Sequence, residues 1–434
     1  MKLSSYILFI FSILLCVNYA SGQSVGTKNN WSEKLIDPIA VDKTLESFMY
    51  NITISSGFDT IFNKQPRYVR QFSNQFGYGD PIAMKGDTVY VHTEAHFNAA
   101  GQMTKLKNED NTYFYFYDKK GNIVHRESRD NDEDHYGDKD SRVERMSYDT
   151  YGNLLTYFEY KITKDSVYHF DEYKTYSYQK QGTDIIVTIK GLEERAGGRS
   201  YYQYITTKTF DNAKLIQLEH NKGKFLGNGA SNERTDEYVY EIIKGKPYLQ
   251  SVKYTSSNQI MTYNTLDTYI RDTLGRLVMK FDKTIKPSGY YGYRYIYEYP
   301  EKNTKVTKLL FETNIPKARR GSYEDVKEGL QKTFIKSVDN YGNVTKDAEI
   351  DSDKNVAART QLAEYTFDKH LNWITKTITD KYEYTLKDED DTGDVEKYYR
   401  EISYFSSPEK LAKPPEIDKK ATALKNEILL AYFK

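Results

Sequence analysis

A short phrase of the form aromatic-Asp-x-x-Gly-Asn-aliphatic returns along this chain inside tyrosine-rich segments. Copies occupy residues 117–123 and 148–154, and a third at 338–344 begins with Val instead of an aromatic residue. Asp at the first position of a type I turn accepts hydrogen bonds from the backbone amides ahead of it, and Gly three residues later takes the left-handed conformation that closes a bulged hairpin. The phrase therefore predicts one β-hairpin that is repeated many times.

The candidate turns are about thirty residues apart or a multiple of it, which accommodates two or three strands with their connections. Such a unit buries its apolar face only against its neighbours. The fold class that follows is all-β, a long, twisted antiparallel sheet of repeated hairpins over residues 66–405, either open or curling on itself. We expect the turns to be formed by Asp118, Gly121, Asp149, Gly152, Asp272, Gly275, Asp339, Gly342 and Asp368.

Tyrosine alternates with other residues between positions 291 and 299. The aligned residues are Tyr291, Tyr293, Tyr295, Tyr297 and Tyr299. On a strand these rings share one face, while Arg294 and Glu298 lie on the other. We therefore expect Tyr293, Tyr295 and Tyr297 to be mostly buried, with the outer two nearer the edge. If they are exposed instead, the same five rings are the candidate ligand-binding surface.

The N-terminus resembles a secretory signal. Lys2 precedes an apolar stretch, and Ala20-Ser21-Gly22 supplies small residues for cleavage before Gln23. We divide the chain into a signal peptide (1–22), an N-terminal segment with a short helix near 42–52 (23–65), the repeat domain (66–405), and a proline-rich linker with a C-terminal helix from about Glu416 (406–434). The expected location is the periplasm, the cell surface or the exterior.

Composition excludes several functions. The only cysteine, Cys16, lies in the predicted signal, so the mature chain has no disulfide, thiol nucleophile or Cys-ligated zinc. Lys plus Arg and Asp plus Glu each number 62, so no basic field for nucleic acid is expected. No internal apolar run has transmembrane length, and the sequence therefore predicts a protein that is not integral to the membrane. It predicts no cofactor.

The repeated phrase resembles the YD-repeat or Rhs-like family, whose repeats carry Tyr-Asp-x-x-Gly-(Asn/Arg)-Leu. Windows at 117–123, 148–154, 271–277, 338–344 and 367–373 carry the resemblance, although Leu371 replaces the turn glycine in the last one. The resemblance implies a small secreted bacterial member built of β-hairpin repeats. No Asp-Pro-x-Gly-Leu-like signature introduces a toxin tail, so it does not imply toxin delivery.

Two groups of residues are candidates for metal binding. Asp388, Asp390, Thr392 and Asp394 supply oxygen atoms with the spacing of a calcium loop, but Tyr399 stands where such a loop has Glu, and a solvated hairpin loop is the alternative. His92 and His96 flank Glu94 on a predicted strand. At roughly 13 Å apart they are too distant to ligate one zinc ion.

Two functions remain. The first is a non-enzymatic binding or structural protein of the cell envelope, whose partner is a glycan or an envelope protein held on the tyrosine face. The alternative is a secreted polysaccharide hydrolase with an unidentified pair of Asp and Glu side chains.

Overall fold

The computed structural model describes residues 33–42, 62, 64–75, 78–108, 110–131, 140–195, 200–227, 229–258, 262–286, 289–315, 328–351, 356–382, 395–405, 412–416 and 418–433. These residues form an antiparallel β-structure with two helices. Helix α1 spans Pro38–Val41 and helix α2 spans Lys419–Tyr432.

The strands follow one another along the chain. They are β1 (Tyr68–Ser73), β2 (Tyr78–Met84), β3 (Asp87–Phe97), β4 (Met103–Lys107), β5 (Asn111–Tyr117), β6 (Ile123–Asp130), β7 (Ser141–Tyr148), β8 (Leu154–Ile162), β9 (Tyr168–Gln181), β10 (Asp184–Arg195), β11 (Ser200–Phe210), β12 (Ile216–Phe225), β13 (Ser231–Ile243), β14 (Lys246–Asn258), β15 (Thr262–Arg271), β16 (Leu277–Lys286), β17 (Gly289–Glu301), β18 (Thr304–Thr313), β19 (Gly329–Val338), β20 (Val344–Asp351), β21 (Val356–Phe367), β22 (Trp373–Tyr382) and β23 (Val395–Ser403).

The sheet closes on itself through its first strand. From β3 to β23 each strand pairs antiparallel with the next, and β1 pairs with both β3 and β23. Val69, for example, lies opposite Ala95 on one side and Ile402 on the other. The result is a 22-strand barrel, with β2 as an additional strand that pairs with β3.

The two rims of the barrel differ. Every connection after an odd-numbered strand from β3 onward is a tight turn of at most five residues, such as 118–122 or 244–245. We call this end the turn rim, and β1 begins and β23 ends there. The longest connections, residues 131–140, 314–328 and 383–394, join strands at the opposite end, which we call the loop rim.

Alternation along the strands gives the wall two faces. The segment face carries residues 33–42, whose Leu35 and Ile36 pack with Tyr176 and Ile189. The helix face carries α2, whose Ala421 packs with Phe158, Phe170 and Leu192. Ionic pairs occur on both faces, for example Lys208–Glu219 on the segment face and Lys253–Glu237 on the helix face.

The repeated phrase forms the turn that its residues predict. The Asp118 carboxylate accepts hydrogen bonds from the backbone N–H of Lys120 (2.8 Å) and Asn122 (2.9 Å), and from the Asn122 side-chain amide (2.8 Å). Gly121 has φ +85°, in the left-handed region. The Asp149 and Asp339 turns repeat these bonds, with Gly152 at φ +90° and Gly342 at φ +87°.

Tyrosine hydroxyls connect successive hairpins near the turn rim. Each donates to a backbone carbonyl just after the previous turn: Tyr117 to Met103 (2.6 Å), Tyr148 to Ile123 (2.9 Å), Tyr178 to Leu154 (2.9 Å), Tyr299 to Leu277 (2.8 Å) and Tyr365 to Val344 (2.9 Å). Because the donor lies next to one turn and the acceptor next to the preceding turn, these bonds hold neighbouring hairpins in register. They give the Tyr of the repeated phrase a structural role.

The fold prediction was right in part. Antiparallel hairpins and a C-terminal helix are present, but the sheet is a closed barrel, so the open form of the expected twisted sheet is wrong. The physical reason is that β1 satisfies its backbone groups on two sides, which leaves no open end between β1 and β23. The short helix expected at 42–52 lies, apart from Asp42, outside the described residues.

Candidate functional site

The five aligned tyrosines lie on the segment face of β17. Tyr293 is opposite Asp282 of β16 and Phe311 of β18, and its side chain is 38 % exposed. Tyr293 is therefore the least buried of the three rings expected to be mostly buried, but most of the residue is still covered, so the packing prediction is not contradicted. Tyr295 and Tyr297 are half-buried, and so are Tyr291 and Tyr299.

A carboxylate pair lies next to these rings. Asp267 of β15 is directly opposite Asp282 of β16. Burial raises the pKa of Asp267 above its ordinary value, and the negative charge of Asp282 raises it further. The positive charge of Lys280 and hydrogen bonding by the Tyr254 hydroxyl partly oppose this rise in the pKa of Asp267. The carboxyl group of Asp267 therefore binds a proton more readily than an ordinary aspartate does.

Lys280 balances this pair. Its ammonium lies 2.8 Å from Asp282 Oδ1. It also lies 5.8 Å from the ring centre of Tyr269 and 5.5 Å from that of Tyr295, on the strands to either side. The cation is thus held between two aromatic rings and one carboxylate, and the rings of Tyr269 and Tyr295 both remain half-buried.

An arginine completes the arrangement on the β13 side. Arg234 makes two hydrogen bonds to Asp236, of 2.7 and 2.9 Å, and its guanidinium lies 4.9 Å from the ring centre of Tyr254. Rings and paired charges therefore alternate across five adjacent strands, β13 to β17. We call this group the tyrosine–carboxylate band, formed by Arg234, Asp236, Tyr254, Asp267, Tyr269, Lys280, Asp282, Tyr293 and Tyr295.

The band offers flat apolar surface and fixed hydrogen-bonding groups. A tyrosine ring contributes contact area at little cost in conformational entropy, and carboxylates accept strong hydrogen bonds from hydroxyl groups. Its charged groups are paired, since Arg234 contacts Asp236 and Lys280 contacts Asp282. It therefore has the chemistry of a surface that binds a polar, uncharged ligand.

A second polar cluster anchors the N-terminal residues. The ammonium of Lys174 lies 3.0 Å from Asp42 and 2.9 Å from Glu172. The hydroxyls of Tyr176 and Tyr204 donate to Asp42 (2.5 Å) and Glu172 (2.6 Å). Burial of Lys174 opposes its positive charge, but the two carboxylates outweigh this and raise its pKa. The cluster fixes residues 33–42, which we call the N-terminal strap, on the segment face.

The strap was missed in the sequence because residues 24–37 read as polar and irregular. Leu35 and Ile36 are two of the few apolar residues in that stretch, and both are buried. The N–H of Leu35 donates to Asn153 Oδ1 at 2.7 Å, so a turn asparagine of the repeated phrase binds the strap. The usable signal was this pair of apolar residues just before Pro38.

The predicted metal residues are not brought together. Asp388, Asp390, Thr392 and Asp394 lie outside the described residues. His92 Nε2 lies 2.6 Å from Ser73 Oγ, whereas the His96 ring stacks near Tyr68. In the described part of the chain, no group of three or more His, Cys, Asp or Glu side chains is arranged to hold a metal ion.

No family model matches the chain, and no curated protein matches it. Among solved structures, a porin-like protein from Bacteroides uniformis ATCC 8492 shares 10 % identity over 78 % of this chain and 96 % of its own, with a TM-score of 0.24. A porin-like protein from Bacteroides vulgatus ATCC 8482 shares 11 % identity over 50 % and 91 %, with a TM-score of 0.21.

The resemblance to the YD-repeat or Rhs-like family is therefore wrong as an assignment of family. No family model supports it, and the hairpins close into a barrel. Asp-x-x-Gly turns followed by tyrosine strands are what any bulged hairpin array requires, so they identify local structure and not ancestry.

The expectation that the chain is not an integral membrane protein loses its basis in the closed barrel. It rested on the lack of a long apolar run, but a closed barrel satisfies its backbone hydrogen bonds between strands and needs no such run to cross a bilayer. Separately, no helix in the described residues is long and apolar enough to span a membrane.

Proposed function

We propose that this protein is an exported β-barrel of the bacterial cell envelope with a non-enzymatic role, in which the segment face holds a polar ligand. The observation that carries the proposal is the closure of the sheet, with β1 bonded to both β3 and β23. Closure removes the open ends through which a hairpin array would pair with other chains.

The organisation of the rims supports an envelope location. Outer-membrane barrels combine an even number of strands with short turns at one end and longer loops at the other. This barrel has 22 strands, tight connections along the turn rim and its longest connections along the loop rim. The first strand of the closed wall also begins, and the last strand ends, at the turn rim.

Fractionation of cells that produce the full chain tests the location. We expect recovery with the envelope, and loss of that recovery when residues 1–22 are deleted. Extraction that requires detergent would place the wall within the outer membrane, and release by alkaline carbonate would place it at the membrane surface. The distinction matters because ionic pairs lie on both faces of this wall, whereas the lipid-facing band of an outer-membrane barrel is apolar. Recovery of the full chain in the cytosol would contradict the proposal.

The hydrolase alternative has less support from the geometry. A surface cavity has Ser200, Phe225, Gly227 and Ala230 as its described lining residues, and none of these carries a carboxylate. Incubation of the purified protein with polysaccharides, followed by a reducing-sugar assay, separates the two functions. We expect no release of sugar, and release that disappears in an Asp267→Asn variant would contradict a non-enzymatic role.

A further inference from the structure

We propose that the tyrosine–carboxylate band binds a neutral oligosaccharide. This deepens the proposed function, since it names the ligand of the segment face and depends on its binding role. The band crosses β13 to β17, and at a strand spacing of about 4.8 Å it extends for roughly 19 Å. A surface of that length fits a chain of several sugars better than a single one.

The aromatic part of the band is accessible. Tyr293 is 38 % exposed, and Tyr254, Tyr269 and Tyr295 are half-buried in the same face. The rings come from β14, β15 and β17 of one stretch of the wall, with Lys280 of β16 between Tyr269 and Tyr295. Half-covered rings fixed by neighbouring strands present the flat C–H-binding surface on which a sugar ring packs.

The polar part is matched to hydroxyl groups. The Asp267 and Asp282 carboxylates face each other beside these rings and offer acceptor oxygens to O–H donors. The Lys280 ammonium lies 2.8 Å from Asp282, so this acceptor has a fixed position. Such a pre-oriented group loses little entropy when a ligand binds.

The charge of the band selects against ionic ligands. Arg234 pairs with Asp236 and Lys280 pairs with Asp282, and the positive charge of Lys280 also acts on Asp267. A polyanion is repelled by the excess of carboxylates, and a polycation has to compete for them with Arg234 and Lys280. A neutral glycan meets neither obstacle and uses both the rings and the oxygens.

Calorimetry with the full mature chain tests the proposal, with neutral hexasaccharides of glucose, mannose and xylose as probes and spermine and a sulfated hexasaccharide as charged controls. We expect at least one neutral hexasaccharide to bind. Tyr269→Ala should weaken that binding about tenfold or more. Tyr290→Ala is the matched control, because Tyr290 lies on the helix face of β17 under Lys283, and we expect its affinity to stay within twofold of the wild type.

Asp267→Asn separates recognition from structure. It removes the repulsion between facing carboxylates, so the unfolding midpoint should stay the same or rise while glycan affinity falls severalfold. Wild-type protein that binds no neutral hexasaccharide, equal losses in Tyr269→Ala and Tyr290→Ala, or binding of the charged controls alone would each overturn the proposal. Envelope fractionation is independent of these variants, so failure of glycan binding and failure of the envelope role are distinguishable.

Discussion

At the scale of the residue, the turn aspartate does most to define this chain. Its two carboxylate oxygens bind three donors of one five-residue turn, two backbone N–H groups and one asparagine amide, and the glycine that follows accepts a backbone conformation that other residues enter only with strain. The fourth residue of the 368–372 turn is Leu371, which adopts φ +62° in the same position. Asp368 therefore forms the turn even without glycine by accepting from the backbone N–H of His370 and Asn372. The side-chain amide of Asn372 donates to the Lys64 carbonyl and to the Tyr404 hydroxyl.

Gly342→Ala tests the backbone requirement alone. Gly342 has φ +87° and a side-chain position with nothing within 4 Å, so an added methyl group meets strain but no clash. We expect a loss of about 1 kcal/mol in the free energy of unfolding, measured by denaturant titration. Gly227→Ala is the control, since its position is equally open without a left-handed φ. Equal effects in both variants would contradict this account of the turn.

Glu127 gives a prediction for pH. Its contact with His125 lowers its pKa to about 2, with Arg129 contributing and burial opposing. Because the folded pKa is below the unfolded value, this carboxylate stabilises the fold above about pH 4.5, and the stabilisation is lost as the pH falls toward 2. We expect the difference in unfolding free energy between wild type and Glu127→Gln to shrink over this range. A difference that stays constant from pH 5 to pH 2 would rule this out.

At the scale of the element, hairpins are joined by tyrosine hydroxyls and covered at two places by terminal segments. The strap covers the segment face beside β9 and β10, and α2 covers the helix face beside β8 and β9. Asp418 caps α2 by accepting from the N–H of Lys420 (2.7 Å), and it also accepts from the Tyr168 hydroxyl (2.6 Å). The strap and α2 thus add apolar contacts to the segment face and to the helix face of the wall, respectively.

Asp42→Ala tests the anchoring of the strap. Asp42 is 8 % exposed and binds Lys174 and Tyr176, so its removal leaves a buried ammonium with one carboxylate instead of two. We expect a loss of about 2 kcal/mol or more in unfolding free energy, together with faster proteolysis before residue 42. In the control, Asp37→Ala, the exposed pair with Lys34 is lost and the expected cost is below about 0.5 kcal/mol. A similar cost for both would contradict a buried anchor.

Local sequence is informative about these elements because turns and helices depend on neighbouring residues. The Asp118 and Asp149 turns and the C-terminal helix, expected from about Glu416 and observed at Lys419–Tyr432, could be predicted for that reason. The strap and the band could not, since the burial of Ile36 and the meeting of Asp267 with Tyr254 depend on which strands become neighbours. The aligned tyrosines of β17 showed a shared face, but their exposure depends on the size of the residues opposite.

At the scale of the whole molecule, closure is the property that sequence reasoning could not decide. Val69 and Ile402 lie opposite each other although more than 300 residues of chain separate them, and no local pattern in either strand predicts the pairing with the other. An open array and a closed barrel use the same turns and the same alternation. They differ in whether β23 pairs with β1. The proposed envelope role and the position of the band on a closed wall depend on that pairing.

A disulfide between β1 and β23 tests closure most directly. Arg70 lies opposite both Glu401 of β23 and Glu94 of β3, and Cα atoms of opposite residues are about 5 Å apart, within reach of a disulfide. In a Cys16→Ser background, Arg70→Cys with Glu401→Cys should cross-link on oxidation and migrate faster on a non-reducing gel. Arg70→Cys with Glu94→Cys is the positive control, and Arg70→Cys with Lys253→Cys the negative one. Cross-linking of the β3 pair without the β23 pair would show an open sheet and contradict the barrel.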